Sequence, residues 1–385
     1  MRIAILTGGG DVPGLNPCIK AVTLGAAQQG WDVIGFRRGW AGPLNYDPAN
    51  PEAGREHLFP LDPVTIRTID RSGGTILHSS RTNPAKVKAS GLPSFLGKGE
   101  GLARNGEFFD TTPHILRVLE ALKIDALVAI GGDDTLSYAA RLHREGVAVM
   151  AAPKTMDNDV FGTDYCMGFS TAISRSLECI EALRTPAGSH ERIAVIELFG
   201  RNSGETALIS GYLADADRTL IAEVPFDIAR LAAQLEKDHA ANPSRYAVLV
   251  LSEGATMTQG QIIEHGQEDA YGHRKLGGIG EMVGGEIARL TGIGVINQKL
   301  AYLMRAGPAD TLDRMVAKNY GTMVVQLLAE GKRGLMTAIQ DGKYTSVPVD
   351  TCVQGVRRVD VPALYDAEAY RPRIAKIAAK PMFLY

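Results

Sequence analysis

The chain has 385 residues, 45% hydrophobic and 22% charged, with 41 Lys and Arg against 43 Asp and Glu. That apolar content excludes intrinsic disorder, and a net charge of −2 argues against a dedicated nucleic-acid binder or a basic membrane-surface protein. The 43 glycines follow no G-x-y period, so a collagen-like chain is also excluded.

Strands and helices alternate from the start. Ile3–Leu6 is a short apolar strand and 7–15 a turn-rich loop. Asn16 then reads as an N-cap, with Pro17 in the first helical position. This helix runs to about Gln29, Gly30 ends it, and Val33–Phe36 is the next strand. Helical spacing of Ile115, Val118, Leu119 and Leu122 precedes a buried strand over 126–130. A helix to about Glu145, a stop at Gly146 and a strand over 147–151 follow. Further on, the pattern predicts a helix over 171–183, strands over 193–198 and 246–251, and a long helix over 311–329. Segments 40–65, 84–112 and 256–280 are rich in Pro, Gly and charge and read as loops. Such alternation implies a mostly parallel α/β sheet covered on both faces, and the length allows two or three domains.

Cys18, Cys166, Cys179 and Cys352 are far apart and form no C-x-x-C pair. They read as reduced thiols of a cytoplasmic protein, with no zinc site. No apolar run reaches the length of a membrane-spanning helix, and the N-terminus lacks the features of a signal peptide.

In open parallel sheets, ligands bind beyond the carboxyl ends of the strands. Three loops there stand out. The first, Thr7-Gly8-Gly9-Gly10-Asp11, opens onto a helix N-terminus; it is either a phosphate cradle or a tight turn without a ligand. Its glycines do not fit G-x-G-x-x-G, no Gly-Lys-Ser/Thr follows, and Arg37 and Arg38 stand where NAD recognition favours an acid. The second, Gly131-Gly132-Asp133-Asp134-Thr135, places two carboxylates at a strand end. Asp133 suits Mg²⁺, although Asp is also a common helix cap. The third, Lys154-Thr155-Met156-Asp157-Asn158-Asp159, is too dense in polar groups for packing alone to explain. There Asp157 can accept a hydroxyl proton and Lys154 can neutralise phosphate charge; the competing explanation is a cluster of Asx turns. Arg81, Arg192 and Arg201 are further anion-binding candidates. No metalloprotease helix and no Gly-x-Ser-x-Gly elbow occurs.

These segments together resemble the phosphofructokinase family. The resemblance rests on 9–16 (GGDVPGLN), Gly131-Gly132-Asp133 and 154–159 (KTMDND). It continues through Phe199-Gly200-Arg201, Ser252-Glu253-Gly254-Ala255 and 300–305 (LAYLMR), in the family's order over roughly residues 1–320. It implies two Rossmann-like three-layer αβα domains with the chain crossing between them. Residues 1–168 plus about 304–350 would form the phosphoryl-donor domain, and about 169–303 plus 351–385 the sugar-phosphate domain. The activity implied is phosphorylation of the 1-hydroxyl of fructose 6-phosphate. By motif, Asp157 is the general base and Asp133 the Mg²⁺ residue, with Gly10 and Arg81 on the donor. Thr155, Met156, Asp157, Phe199, Gly200, Arg201, Glu253, Tyr302 and Arg305 would hold the sugar phosphate. Arg192 would reach a neighbouring subunit's site, which implies a homodimer or homotetramer.

Asp134 and Lys154 resemble the pyrophosphate-dependent branch, where the ATP-dependent branch usually has glycine at both positions. A carboxylate at 134 crowds the α-phosphate and nucleoside of ATP, and an ammonium at 154 attracts a short, dense anion. The expected partners are therefore pyrophosphate and fructose 6-phosphate, with Mg²⁺ as cofactor and neither nucleic acid nor membrane. The alternatives are ATP as donor, sedoheptulose 7-phosphate as acceptor, a catalytically silent sensor, and an NAD-kinase-like enzyme. One departure bears on the acceptor: a second cross-subunit arginine of the family falls on Ile296, where Lys299 or Arg274 are the candidate replacements.

Overall fold

The computed structural model describes residues 1–99, 101–258, 264–265, 275–374 and 376–379. Arg274, one candidate replacement for the arginine expected at 296, lies outside the described residues.

Two sheets carry the architecture. The larger has seven strands in the spatial order Lys343–Pro348, Leu335–Gln340, Val149–Pro153, Ala126–Gly131, Arg2–Thr7, Asp32–Phe36 and Leu58–Leu61. Its five inner strands are parallel and the two outermost are antiparallel to their neighbours. The second sheet has four parallel strands, in the order Arg218–Leu220, Ala247–Ser252, Ile193–Leu198 and Val295–Lys299. The central strands 126–131, 149–153, 193–198 and 247–252 are buried throughout. That is why they read as largely apolar runs rather than alternating ones, with Glu197 and Ser252 the polar residues near the carboxyl ends of the smaller sheet's strands.

Helices cover the sheets. Leu15–Gln28 lies against Thr311–Ala329, the most intimate helix pair in the molecule. Its closeness depends on Gly321, where a Cβ would sit 2.7 Å from the Cys18 carbonyl and from the Ala21 side chain. The fully buried carboxylate of Asp313 stitches the start of the helix Phe169–Ser189 to this pair. It accepts from the Tyr165 hydroxyl (2.7 Å), the Gly168 N–H (2.8 Å) and the Thr171 N–H (2.7 Å) and hydroxyl (2.6 Å). Burial pushes Asp313 up to about 6 in spite of those donors.

Several expectations need correction. Asn16 is not an N-cap: the helix begins at Leu15 after Gly14 in a left-handed conformation (φ 116°). The Asn16 side chain instead accepts from the Ile76 N–H and donates to the Gly73 carbonyl. The strand expected over 147–151 is shifted to Val149–Pro153. The helix expected over 171–183 is Phe169–Ser189, running on through Pro186. Segments 40–65 and 84–112 are not wholly loops. The first holds the edge strand Leu58–Leu61, and the second a small antiparallel sheet of Val87–Lys88, Ala103–Asn105 and Phe108–Asp110. Cys18, Cys166 and Cys352 are buried thiols and Cys179 is half-buried; burial pushes Cys18 up to about 12. Among the described residues, no helix is long and apolar enough to cross a membrane.

Candidate active site

The carboxyl ends of both sheets open onto one cleft of about 980 Å³. Thr7, Gly131 and Pro153 end strands of the larger sheet there, and Leu198, Ser252 and Lys299 end strands of the smaller one. The three polar loops singled out in the sequence therefore converge.

At one end lies a recess of about 140 Å³ lined by Gly10, Arg81, Asp133, Asp134, Lys154 and Asp159, among others. Gly9 (φ 79°) donates its N–H to the Ser80 carbonyl, which turns the loop back over the strand ends. Gly10 lies directly under the Arg305 guanidinium: a Cβ there would fall 2.3 Å from an Arg305 Nη, and the arginine would have to shift. Asp133 opens the helix Asp133–Arg144, and one of its oxygens accepts from the Asp134 N–H (2.9 Å). It stands in the first turn, after Gly132 at the N-cap, and lines the recess. Lys154 is 3% exposed. Burial, with Arg305 adding its charge, brings its ammonium down to about 8.

Asp157 lines both the recess and the wider cleft. Its N–H donates to the Thr155 hydroxyl (3.1 Å), while its buried Oδ1 has no hydrogen-bond partner in the protein. Burial and then the nearby Glu253 push it up to about 7, against the pull of Arg201. Glu253 is likewise pushed up to about 7 by burial, with Lys299 and Arg201 opposing. Asp159 is raised by burial and by Asp157 and Asp133. A cluster of carboxylates strained towards protonation, facing three arginines and two lysines, is a common signature of a catalytic site.

The wider end is built by Thr155, Met156, Phe199, Arg201, Glu253, Tyr302 and Arg305, all expected from the sequence. Arg305 reaches over the rings of Tyr302 (4.8 Å) and Phe199 (6.0 Å) and donates to the Asp11 carbonyl (3.2 Å). It therefore links the acceptor end to the first glycine loop. Two expected residues do not face this cleft. Gly200 (φ 141°) shapes the turn before Arg201, its carbonyl accepting from the Ser252 hydroxyl. Arg192 is exposed at the opposite end of the strand Ile193–Leu198, roughly 20 Å from the cleft at about 3.3 Å per residue. Ile296 is partly buried against the core in mid-strand, whereas Lys299 lines the cleft and pairs with Glu197 (2.9 Å).

Sequence reasoning passed over Thr75 and His78, which also line the cleft. They lie in a segment with no motif of its own; Gly73-Gly74 just before them was the available signal.

The donor set fits Mg²⁺ in one manner. Among the described residues, no group of three or more His, Cys, Asp or Glu could hold a metal ion. Mg²⁺, however, commonly takes one or two carboxylates and completes its shell with water and substrate phosphate. Asp133, in a recess shared with Lys154 and Arg81, meets that requirement.

A family model described as phosphofructokinase matches residues 2–328. The chain belongs to the phosphofructokinase family. It is 37% identical over 373 residues to a pyrophosphate–fructose 6-phosphate 1-phosphotransferase of Amycolatopsis mediterranei, covering 96% of this chain and 99% of that protein. It is 36% identical to an ATP-dependent 6-phosphofructokinase of Chloroflexus aggregans, covering 93% and 92%. In fold it matches the pyrophosphate-dependent phosphofructokinase of Marinobacter aquaeolei with a TM-score of 0.71 at 19% identity, covering 99% of this chain and 97% of that one. Relatives named for either donor are almost equally similar, so the donor must be argued from the residues of the recess.

Proposed function

We propose that this phosphofructokinase transfers a phosphoryl group reversibly from pyrophosphate to the 1-hydroxyl of fructose 6-phosphate. The observation that carries the reading is the recess itself. It opens into the wider cleft, with Gly10, Arg81, Lys154 and Asp157 common to both, so charge rather than volume distinguishes the donors. Asp134 and Lys154 both line it, with Arg81 and Gly10 beside them. The carboxylate repels a long polyphosphate chain and its nucleoside, and the ammonium favours a short, dense anion.

In this reading the larger sheet, with residues 1–168 and about 304–350, is the donor domain. The remainder, about 169–303 and 351–385, is the acceptor domain. Gly10, Arg81 and Lys154 hold the pyrophosphate. Mg²⁺, carried by Asp133 and the phosphate oxygens, neutralises charge on the transferring group when bound. Arg201, Arg305 and Tyr302 hold the sugar's phosphate, with Thr155, Met156, Phe199 and Glu253 around the sugar and Gly200 setting the turn. Asp157, common to both ends, takes the proton of the attacking hydroxyl. Its free Oδ1 and its raised proton affinity suit that task, because a base works best with a pKa near the operating pH. Little covalent work falls to the protein; alignment and charge neutralisation around a loose transition state lower the barrier. Arg192, remote from its own cleft, would serve a neighbouring one in a cytoplasmic homodimer or homotetramer. With Ile296 in place of an arginine, sedoheptulose 7-phosphate is the alternative acceptor to fructose 6-phosphate.

The test compares initial rates with pyrophosphate and ATP, each with Mg²⁺ and both sugar phosphates. Turnover with pyrophosphate and little with ATP is expected. In the double variant Asp134→Gly/Lys154→Gly, kcat/KM for pyrophosphate should fall at least about 100-fold, as for loss of charge-assisted contacts, while that for ATP rises. A wild-type preference for ATP would overturn the donor assignment.

A further inference from the structure

Asp157 carries a carboxylate whose Oδ1 no protein group holds, so its aim depends on the backbone on either side. That backbone is pinned from behind the cleft. The Thr206 hydroxyl donates to the Met156 carbonyl (3.0 Å). Asn158, in a left-handed conformation (φ 54°), accepts from the Cys166 N–H (2.7 Å) through its side-chain oxygen. Its side-chain amide donates to Glu205 (3.2 Å). Arg357 completes the arrangement: its guanidinium donates to the Asn158 carbonyl (3.1 Å) and pairs with Glu205, and its own N–H donates to the Asp159 carbonyl (2.9 Å). Glu205 begins the helix Glu205–Leu213, which follows a strand of the smaller sheet. Arg357 comes from beyond the last strand of the larger one, where Val356 bridges Val160.

We infer that Arg357, held in place by Glu205, is a positioning residue that fixes the geometry of the Asp157 carboxylate. The inference rests on the phosphoryl-transfer reading, in which Asp157 is the base. A buried ion pair is a poor way to gain stability, since an apolar pair of similar volume does as well or better. What an apolar pair cannot do is donate to the Asn158 carbonyl and accept from the Asn158 amide. The pair is therefore explained by what it holds. It touches no substrate, and its effect reaches the reaction only through the strained Asn158 backbone.

The test is steady-state kinetics with pyrophosphate, fructose 6-phosphate and Mg²⁺ on the wild type, on Glu205→Leu/Arg357→Met and on Arg357→Lys. A control removes another buried pair, Arg218–Asp238 (2.6 Å), on the strand and helix 218–220 and 228–241, as Arg218→Met/Asp238→Leu. Melting temperatures are recorded for all. Because a misplacement of about 1 Å can cost about 100-fold, kcat should fall roughly 10- to 100-fold in Glu205→Leu/Arg357→Met. Both KM values should stay within about threefold, and the control should keep its kcat. Arg357→Lys, whose ammonium ends about one bond short of the Nη1 that makes both contacts, should lose part of kcat with the same split. An unchanged kcat in a folded variant, or an equal loss in the control, would overturn the inference. If the double variant does not fold, Arg357→Lys decides by the same split. Absence of turnover in the wild type with pyrophosphate would instead overturn the reading beneath it.

Discussion

Replacing Asp157 with asparagine should make the enzyme slower and more stable at once. The unfolded chain releases the Asp157 proton near 3.8, whereas the folded protein holds it up to about 7. The native state thus binds more protons between those values, and stability falls as pH rises through that window. At about 1.4 kcal/mol per pH unit, the destabilisation above pH 7 is at most about 4 kcal/mol, with burial of the carboxylate its main cause. A chain of 385 residues has an unfolding entropy of about 0.8 kcal/mol/K, so Tm should rise by up to about 5 °C at pH 8. The gain should shrink steadily as pH falls from 7 towards 4 and vanish only below 3.8, where aspartate is protonated in both states. Turnover should fall by about 10² to 10⁴, the usual contribution of a positioned base, with the KM for fructose 6-phosphate little changed. Differential scanning fluorimetry from pH 4 to 8, beside initial rates, reads both effects. A lower Tm at pH 8, or an undiminished kcat, would refute the reasoning.

The pH dependence of kcat/KM follows from the same groups. The forward reaction needs Asp157 deprotonated and Lys154 charged, so the profile should rise near 7 and fall near 8; the reverse reaction, which needs the Asp157 proton, should peak at lower pH. Arg305→Leu removes a guanidinium from the acceptor end. A charged hydrogen bond is worth about 1.5–3 kcal/mol, so the KM for fructose 6-phosphate should rise about 10- to 150-fold; a change confined to the pyrophosphate KM would reassign it. Mixing inactive Arg192→Ala and Asp157→Asn subunits should restore activity, since one site of each hybrid dimer is then complete. About a quarter of wild-type activity is expected from random pairing in a symmetric dimer, and none if Arg192 serves no neighbour.

The strand Ile193–Leu198 and the helix Thr311–Ala329 lie where the sequence puts them. The strand opens on an apolar run, Ile193–Ile196, and the helix has Asp310 as a true cap, accepting from the Asp313 N–H. The edge strand Leu58–Leu61 escaped notice because Pro60 lowers its strand character, although an edge tolerates a residue without an N–H. The hairpin 335–348 escaped because only one of its strands is substantially buried. The three cleft loops were legible because their polar density has no packing explanation. Glu205 and Arg357 were not: they stand 152 positions apart, and neither belongs to a local pattern. Only the fold brings them together at Asn158.

The helix Leu15–Gln28 leaves the ribosome long before its partner, Thr311–Ala329. At about 5–20 residues per second, the nascent chain waits roughly 15–65 s for that partner. In the interval Leu15, Ile19 and Val22, all fully buried in the finished molecule, have nothing from the C-terminal third to cover them. Synthesis interrupted before residue 311 therefore yields a chain with an open apolar seam, a ready target for chaperones and for self-association. The larger sheet is a unit assembled from segments far apart in the chain, 2–7 and 335–348, and nonsense mutations ahead of the later segment should act on the fate of the earlier one.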